Sequence, residues 1–330
     1  ICTLTGLKTL FLQDAGVTNE GLAALQKLRS LERLCIQSEQ LDASGIAHLA
    51  DITSLSSIRL STGNTISSAA LSHVAKLTSL KELYIGWQGL ESDGLAHLAS
   101  LPSLEFLSIS AREIDPADLQ QLENLPQLRR LRLFTSRGKD FPVLPAMPLL
   151  TELYARKGGP EFVSLAKLTQ LQGLESLSLT GRLTDEGLAQ LSAFSALKEI
   201  QLQPLFQDRD FITDETLAQL GKHPCIERIR IYTGQFTDKG LAHLAALPRL
   251  RQLHIPNNQG FTDTGLELLA KLTKLEDLYL RGKLFTRAGM AELRGMKQLK
   301  TVKFLTPSAD AAAFCRTHEQ KDKNASDTMN

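Results

Sequence analysis

The chain has 330 residues, of which 42% are hydrophobic but only 5% aromatic, and its formal net charge is +1. Near-neutrality argues against a polyanion binder working by bulk charge and against an acidic disordered chain. No apolar run approaches the ~18 residues that a membrane span requires, so no membrane association is expected.

Taken in chain order, residues 1–6 read as the tail of a repeat that starts upstream of Ile1, and an upstream signal peptide is compatible with that beginning. Leu7 opens an L-x-x-L-x-L signature that returns at Leu31, Leu55, Leu80, Leu104, Leu128, Leu150, Leu174, Leu197, Ile226, Leu250, Leu275 and Leu299. Most intervals are 24 residues or within one of it, and thirteen copies in phase define a repeat array along nearly the whole chain. The copy at 174–196 shows the unit most clearly. Leu177 and Leu179 alternate with Ser176, Ser178 and Thr180, which predicts a short strand buried on one face. After a turn at Gly181, Thr184-Asp185-Glu186-Gly187 predicts a helix start: the threonine hydroxyl caps an orphan amide and the acids sit at the positive helix end. Leu188 and Leu191 share a helical face. One such unit cannot bury its own leucines, so neighbouring units must.

Signature positions four and six point into the core, and positions three, five and seven point outward from the strands. The outward set of the early repeats includes Thr9, Phe11, Arg33, Cys35, Arg59, Glu82, Tyr84, Phe106 and Ser108, with Trp87 following the fourth strand at its edge. Repeats 128–173 are irregular. Phe141, Pro142, Pro145 and Pro148 stand where a helix belongs, which predicts no regular helix over 136–149. Lys157-Gly158-Gly159-Pro160 is a turn signal. Basic residues gather over 129–157 (Arg129, Arg130, Arg132, Arg137, Lys139, Arg156, Lys157), with Phe134 and Tyr154 among them. A long insertion at 203–211 follows the next regular repeat, with Leu205 and Phe206 at its tip. The last repeats bring Arg228, Arg230, Tyr232, His254, Tyr279 and Arg281 outward. Pro307 stops the pattern, Ala309–Cys315 is expected to close the array as a short helix, and 317–330 is expected to be disordered. Residues 1–316 are thus read as one domain.

The phrase T-D-x-G-L recurs at Thr184–Leu188, Thr237–Leu241 and Thr262–Leu266, with Thr18-Asn19-Glu20-Gly21-Leu22 as a variant. Together with the thirteen signatures, it resembles the leucine-rich-repeat family, in particular the repeats of F-box leucine-rich-repeat proteins and similar bacterial proteins. The resemblance implies an α/β fold, a right-handed solenoid or horseshoe with a parallel sheet on the concave side and short helices on the convex side. The Cys-Pro-x-Leu phrase of the F-box relatives is replaced by Leu101-Pro102-Ser103-Leu104, Leu125-Pro126-Gln127-Leu128 and Leu247-Pro248-Arg249-Leu250.

Chemistry-bearing patterns are absent: the sequence has no phosphate loop, C-x-x-C, H-E-x-x-H or G-x-S-x-G. His48, His73, His97 and His243 share one helical position, but side chains splay on a convex face and surface histidines are expected rather than a metal ladder. Cys2, Cys35, Cys225 and Cys315 lie far apart in the array, so reduced thiols and a cytoplasmic setting are expected. No catalytic residue, cofactor or metal is expected. The expected function is a non-enzymatic scaffold that binds a protein or peptide, acidic with apolar anchors, on the concave face. Its candidate residues are Tyr84, Trp87, Phe106, Arg130, Arg132, Phe134, Tyr154, Arg228, Arg230, Tyr232, His254 and Tyr279, the types enriched at binding hot spots. Two alternatives are a polyanion or nucleic-acid ligand on the basic stretch 129–157 and the substrate-receptor part of a ubiquitin ligase.

Overall fold

A computed structural model describes residues 4–13, 16–61, 65–86, 89–91, 93–136, 143–158, 163–205, 212–258, 260–282 and 285–304. Trp87, Phe206, the expected closing helix Ala309–Cys315 and the tail 317–330 lie outside the described residues. The chain divides into two compact units, Ile1–Glu161 and Phe162–Asn330. The division falls inside the irregular stretch 128–173.

The strands of the first unit are β1 (Thr9–Gln13), β2 (Arg33–Gln37), β3 (Ser57–Ser61), β4 (Thr65–Ile66), β5 (Glu82–Gly86), β6 (Gly89–Leu90), β7 (Phe106–Ala111), β8 (Arg130–Thr135) and β9 (Glu152–Lys157). The two-residue β4 and β6 pair with each other, and the other seven form a parallel ladder in chain order. The second unit carries β10 (Ser176–Gly181), β11 (Glu199–Pro204), β12 (Arg228–Ile231), β13 (Gln252–Ile255), β14 (Asp277–Leu280) and β15 (Thr301–Phe304), again parallel and in chain order. Each ladder strand coincides with one copy of the signature. Within each unit this is the predicted repeat architecture, parallel strands with short helices between them.

Register follows the repeat. Leu10, Leu34 and Ile58 align in the first unit, and Ile229, Leu253, Leu278 and Val302 in the second. Strand entry is fastened by two amides on one carbonyl: those of Glu227 and Arg228 both donate to the Lys198 oxygen, at 2.8 and 3.0 Å. The leucine and isoleucine layers are almost solvent-free. Each such side chain stabilises by roughly 2 kcal/mol when fully buried, and it reaches that state only between two neighbouring repeats.

The helices are shorter and more varied than the repeat predicts. Asp214–Leu220, Asp238–Leu244 and Asp263–Leu269 are seven-residue α-helices. Asn19–Ala23 and Ala43–Ala47 last five residues before tightening to 3-10 turns, and Gly94–Ser100 is 3-10 throughout. Residues 143–149, the described part of the proline-rich segment, contain no helix.

Thr184, Thr213, Thr237, Thr262 and Thr286 are N-caps whose hydroxyls accept from amides of the first turn. The aspartate after the cap does different work, reaching into the next repeat. Asp214 accepts from the amide and hydroxyl of Thr237 at 2.8 and 2.5 Å, and Asp263 from those of Thr286 at 2.9 and 2.5 Å. Asp185 and Asp238 do the same for Thr213 and Thr262. Phe236, Phe261 and Phe285, just ahead of their capping threonines, are buried as hydrophobic staples. Phenylalanine rings therefore join the leucine and isoleucine layers in the core.

Candidate functional site

Strand alternation lays signature positions three, five and seven on the open face of each ladder. In the first unit the fifth positions run Arg59, Tyr84, Ser108, Arg132, Tyr154 across β3, β5, β7, β8 and β9. The Arg59 guanidinium stands 4.4 Å above the Tyr84 ring. Tyr84 meets Phe106 at 4.7 Å between ring centroids, tilted by 42°. Arg130 and Arg132 lie over the same Phe106 ring, at 5.0 and 5.5 Å, and Phe134 packs on Tyr154 at 5.0 Å. Arg130 also reaches Glu82 at 3.4 Å, while Ser57 donates to the other Glu82 oxygen.

Three expectations need correction. Phe106 occupies an outward position, yet only 3% of its surface is exposed, because Tyr84 and the two guanidiniums cover it. It is a floor on which other contact residues rest. Lys157 is 1% exposed, so it leaves the basic surface stretch altogether, and Arg129 projects from the second signature position rather than from the open face. Cys35 and Ser108, read as outward, are also buried between longer neighbours.

Two hollows flank the Arg59–Tyr84 stack. One, about 260 Å³, is lined by Phe11, Arg33, Cys35, Ser57, Glu82 and the stack itself. The other, about 320 Å³, lies between the stack and Arg132–Phe134, over Ser61, Gly86, Ser108 and Ser110. Arg59 belonged to the outward set but not to the predicted site. Its place beside Tyr84 in the same column was the signal for it.

The second unit brings its predicted residues together differently. Arg228 bonds Glu199 at 2.9 Å, and Arg230 stands 3.9 Å from the same carboxylate and 3.2 Å from the Gln252 amide oxygen. Gln252 in turn donates to Asp277 at 2.9 Å. His254 meets the Tyr279 ring edge-on at 5.9 Å, and with Arg230, Ile231, Tyr232 and Pro256 the pair lines a hollow of only about 100 Å³. Burial, and then the Arg230 charge, push the His254 pKa below the usual histidine range. Tyr232 is the exposed aromatic of this face. Here the charges are largely answered from within.

On the helical side, His48 and His73 are half-buried, His97 and His243 exposed, and His97 shares a hydrogen bond with Ser68 at 2.9 Å. Among the described residues no group of three histidine, cysteine or acidic side chains is placed to hold a metal, and no helix is long and apolar enough to cross a membrane. Cys35 and Cys225 are free thiols.

No family model and no curated protein matches the chain. Solved structures do. An internalin (inlF) from Listeria monocytogenes is similar with a TM-score of 0.53 and 17% identity, over 91% of this chain and 87% of that one. A TLR13–ssRNA13 complex is similar with a TM-score of 0.63 and 19% identity, over 91% of this chain but only 43% of the TLR13 chain. These are leucine-rich-repeat proteins, and at such identity the likeness establishes the fold.

Proposed function

We propose that the chain is a non-enzymatic interaction scaffold that binds a protein or peptide on the open face of its strands, with Arg132, Phe134 and Tyr154 of the first unit as principal contacts. The carrying observation is the imbalance on that face. Arg33, Arg59, Arg132 and Arg156 form no ion pair among the described residues, and they stand beside the exposed sides of Tyr84, Phe134 and Tyr154. Arginine forks and flat rings with little rotamer entropy to lose are what protein hot spots use. The similar structures support this reading only through the fold they share. A polyanion role for 129–157 is less supported, because Lys157 is buried and Arg130 is shared with Glu82.

The test is affinity capture from the source organism followed by titration of the purified partner. Arg132→Ala and Tyr154→Ala should each weaken binding by about 1–3 kcal/mol with folding unchanged, whereas His97→Ala on the helical side should leave it alone. A partner that binds the Arg132/Tyr154 double variant as tightly as the parent excludes this surface.

A further inference from the structure

We infer that the hollow between Arg59 and Arg132 receives an acidic side chain of an extended partner segment, with apolar neighbours of that side chain held against Tyr84 and Phe134. The inference rests on the open-face binding proposed above and assigns its central contact.

The hollow arises from a pattern of side-chain sizes. Across β3, β5, β7 and β8 the fifth positions read Arg59, Tyr84, Ser108, Arg132 and the seventh positions Ser61, Gly86, Ser110, Phe134. Short side chains at Ser108, Gly86 and Ser110 leave a gap, and long ones stand at either end of it. The lining contains two guanidiniums and no carboxylate, because Glu82 faces the other hollow and engages Arg130. Arg59 lies over the Tyr84 ring and Arg132 over the Phe106 ring, and neither makes an ion pair among the described residues. Serine hydroxyls cannot balance two fixed positive charges, so the space suits an anion, and a guanidinium fork matches a carboxylate.

The shape favours a peptide over a nucleic acid. At about 320 Å³ the hollow is at the small end of ligand pockets. Within the row of fifth positions the two cations flank this one space, and the residues next to them, Cys35 and Tyr154, are not basic. Strands about 4.8 Å apart make the row of fifth positions a track crossed by an extended chain, in which an acidic residue would alternate with apolar ones.

The experiment is selection of a random twelve-residue phage-displayed peptide library on the whole chain, followed by titration of synthetic versions of the enriched peptides. Enriched peptides should share an Asp or Glu with apolar residues within three positions. Their Kd should rise at least tenfold with Arg59→Gln, which is exposed and safe for folding, and with Ser108→Leu, which fills the gap. His243→Gln, exposed on a helix of the second unit, should change nothing. Enriched peptides without an acid, no enrichment above an unrelated repeat protein, or Kd values within twofold for both variants would overturn the inference. So would Arg59-dependent binding of a twelve-nucleotide oligouridylate without peptide enrichment. Loss of binding in Phe134→Ala or Tyr154→Ala with no effect of Arg59→Gln keeps the open-face reading and removes only the carboxylate contact. Insensitivity to all four variants removes both.

Discussion

His223 brings a titratable ring to a column of the repeat that is buried in the other copies, as at Leu101, Leu125 and Leu247. It is only 4% exposed, and its Nε2 meets no partner among the described residues. Burial lowers its pKa, opposed in part by a hydrogen bond involving the Leu191 backbone. A folded pKa below the unfolded value, about 6.5, means that the unfolded chain takes the proton first. The His223 contribution is therefore intact above about pH 6.5 and declines as pH falls below it. His254 shifts in the same direction, whereas the lowered Glu32 and Glu276 act only at more acidic pH. Urea midpoints between about pH 7.5 and about pH 5.5 should thus fall in the parent and fall less in His223→Gln. Parallel curves would clear His223 of the effect. At this scale the sequence tells which face a side chain occupies and not what lies over it. Phe11 and Phe106 both stand on the open face, yet one is 69% exposed and the other 3%. Strand periodicity places both rings, but Phe106 is covered because Tyr84, Arg130 and Arg132 lean over it, and that choice of rotamers is not written in any spacing.

The T-D-x-G phrase is legible in sequence as a helix start, and its threonine caps as expected. What spacing within one repeat does not reveal is that the aspartate and glycine act between repeats. A Cβ on Gly240 would lie 2.3 Å from Asp214 Oδ1, and one on Gly265 would lie 2.4 Å from Asp238 Oδ1. The glycine is bare so that the previous repeat's carboxylate can reach the threonine beside it. Asn19 in the first unit does the same beside Gly45, donating to Asp42 at 2.9 Å. Where the glycine is replaced by Thr216, its hydroxyl joins the network by bonding Asp185. A double-mutant cycle isolates the device. Gly240→Ala should cost about 1–3 kcal/mol by overpacking, and Asp214→Ala about 1–2 kcal/mol through its two lost bonds. The double variant should cost clearly less than the two together, because the carboxylate that the new methyl strikes has gone and the other near atom, the Leu217 terminus, can move. Strict additivity in urea unfolding would mean that the two residues do not share the space.

Across the whole molecule, the repeat count and the place of the irregularity are legible because leucine spacing and proline chemistry are local properties. A longer-range order runs along the second signature position. In the second unit it reads Glu175, Lys198, Glu227, Arg251, Glu276, Lys300, and in the first Lys8, Glu32, Ser56, Lys81, Glu105, Arg129, Thr151. No two neighbours carry the same sign. Lys8 pairs with Glu32 and Lys198 with Glu175, each at 2.8 Å, and Glu276 holds both Arg251 and Lys300, at 2.6 and 2.7 Å. Hydrogen bonds from Lys300 first, and from Arg251, keep the Glu276 carboxyl below the usual range. Exposed pairs add little stability singly, but alternation penalises any pairing displaced by one repeat and tolerates one displaced by two. Excision exposes that difference. Removing residues 250–274 brings Glu227 beside Glu276, whereas removing 226–274 brings Lys198 beside Glu276. Both deletions keep an aspartate facing Thr286, from Asp238 or Asp214, so the bridge between repeats survives in each. Salt screens repulsion and attraction alike. Moving from low to high sodium chloride should therefore raise the urea midpoint of the one-repeat deletion and leave that of the two-repeat deletion level or slightly lower. The same salt response in both would mean that the alternation has no part in holding the register.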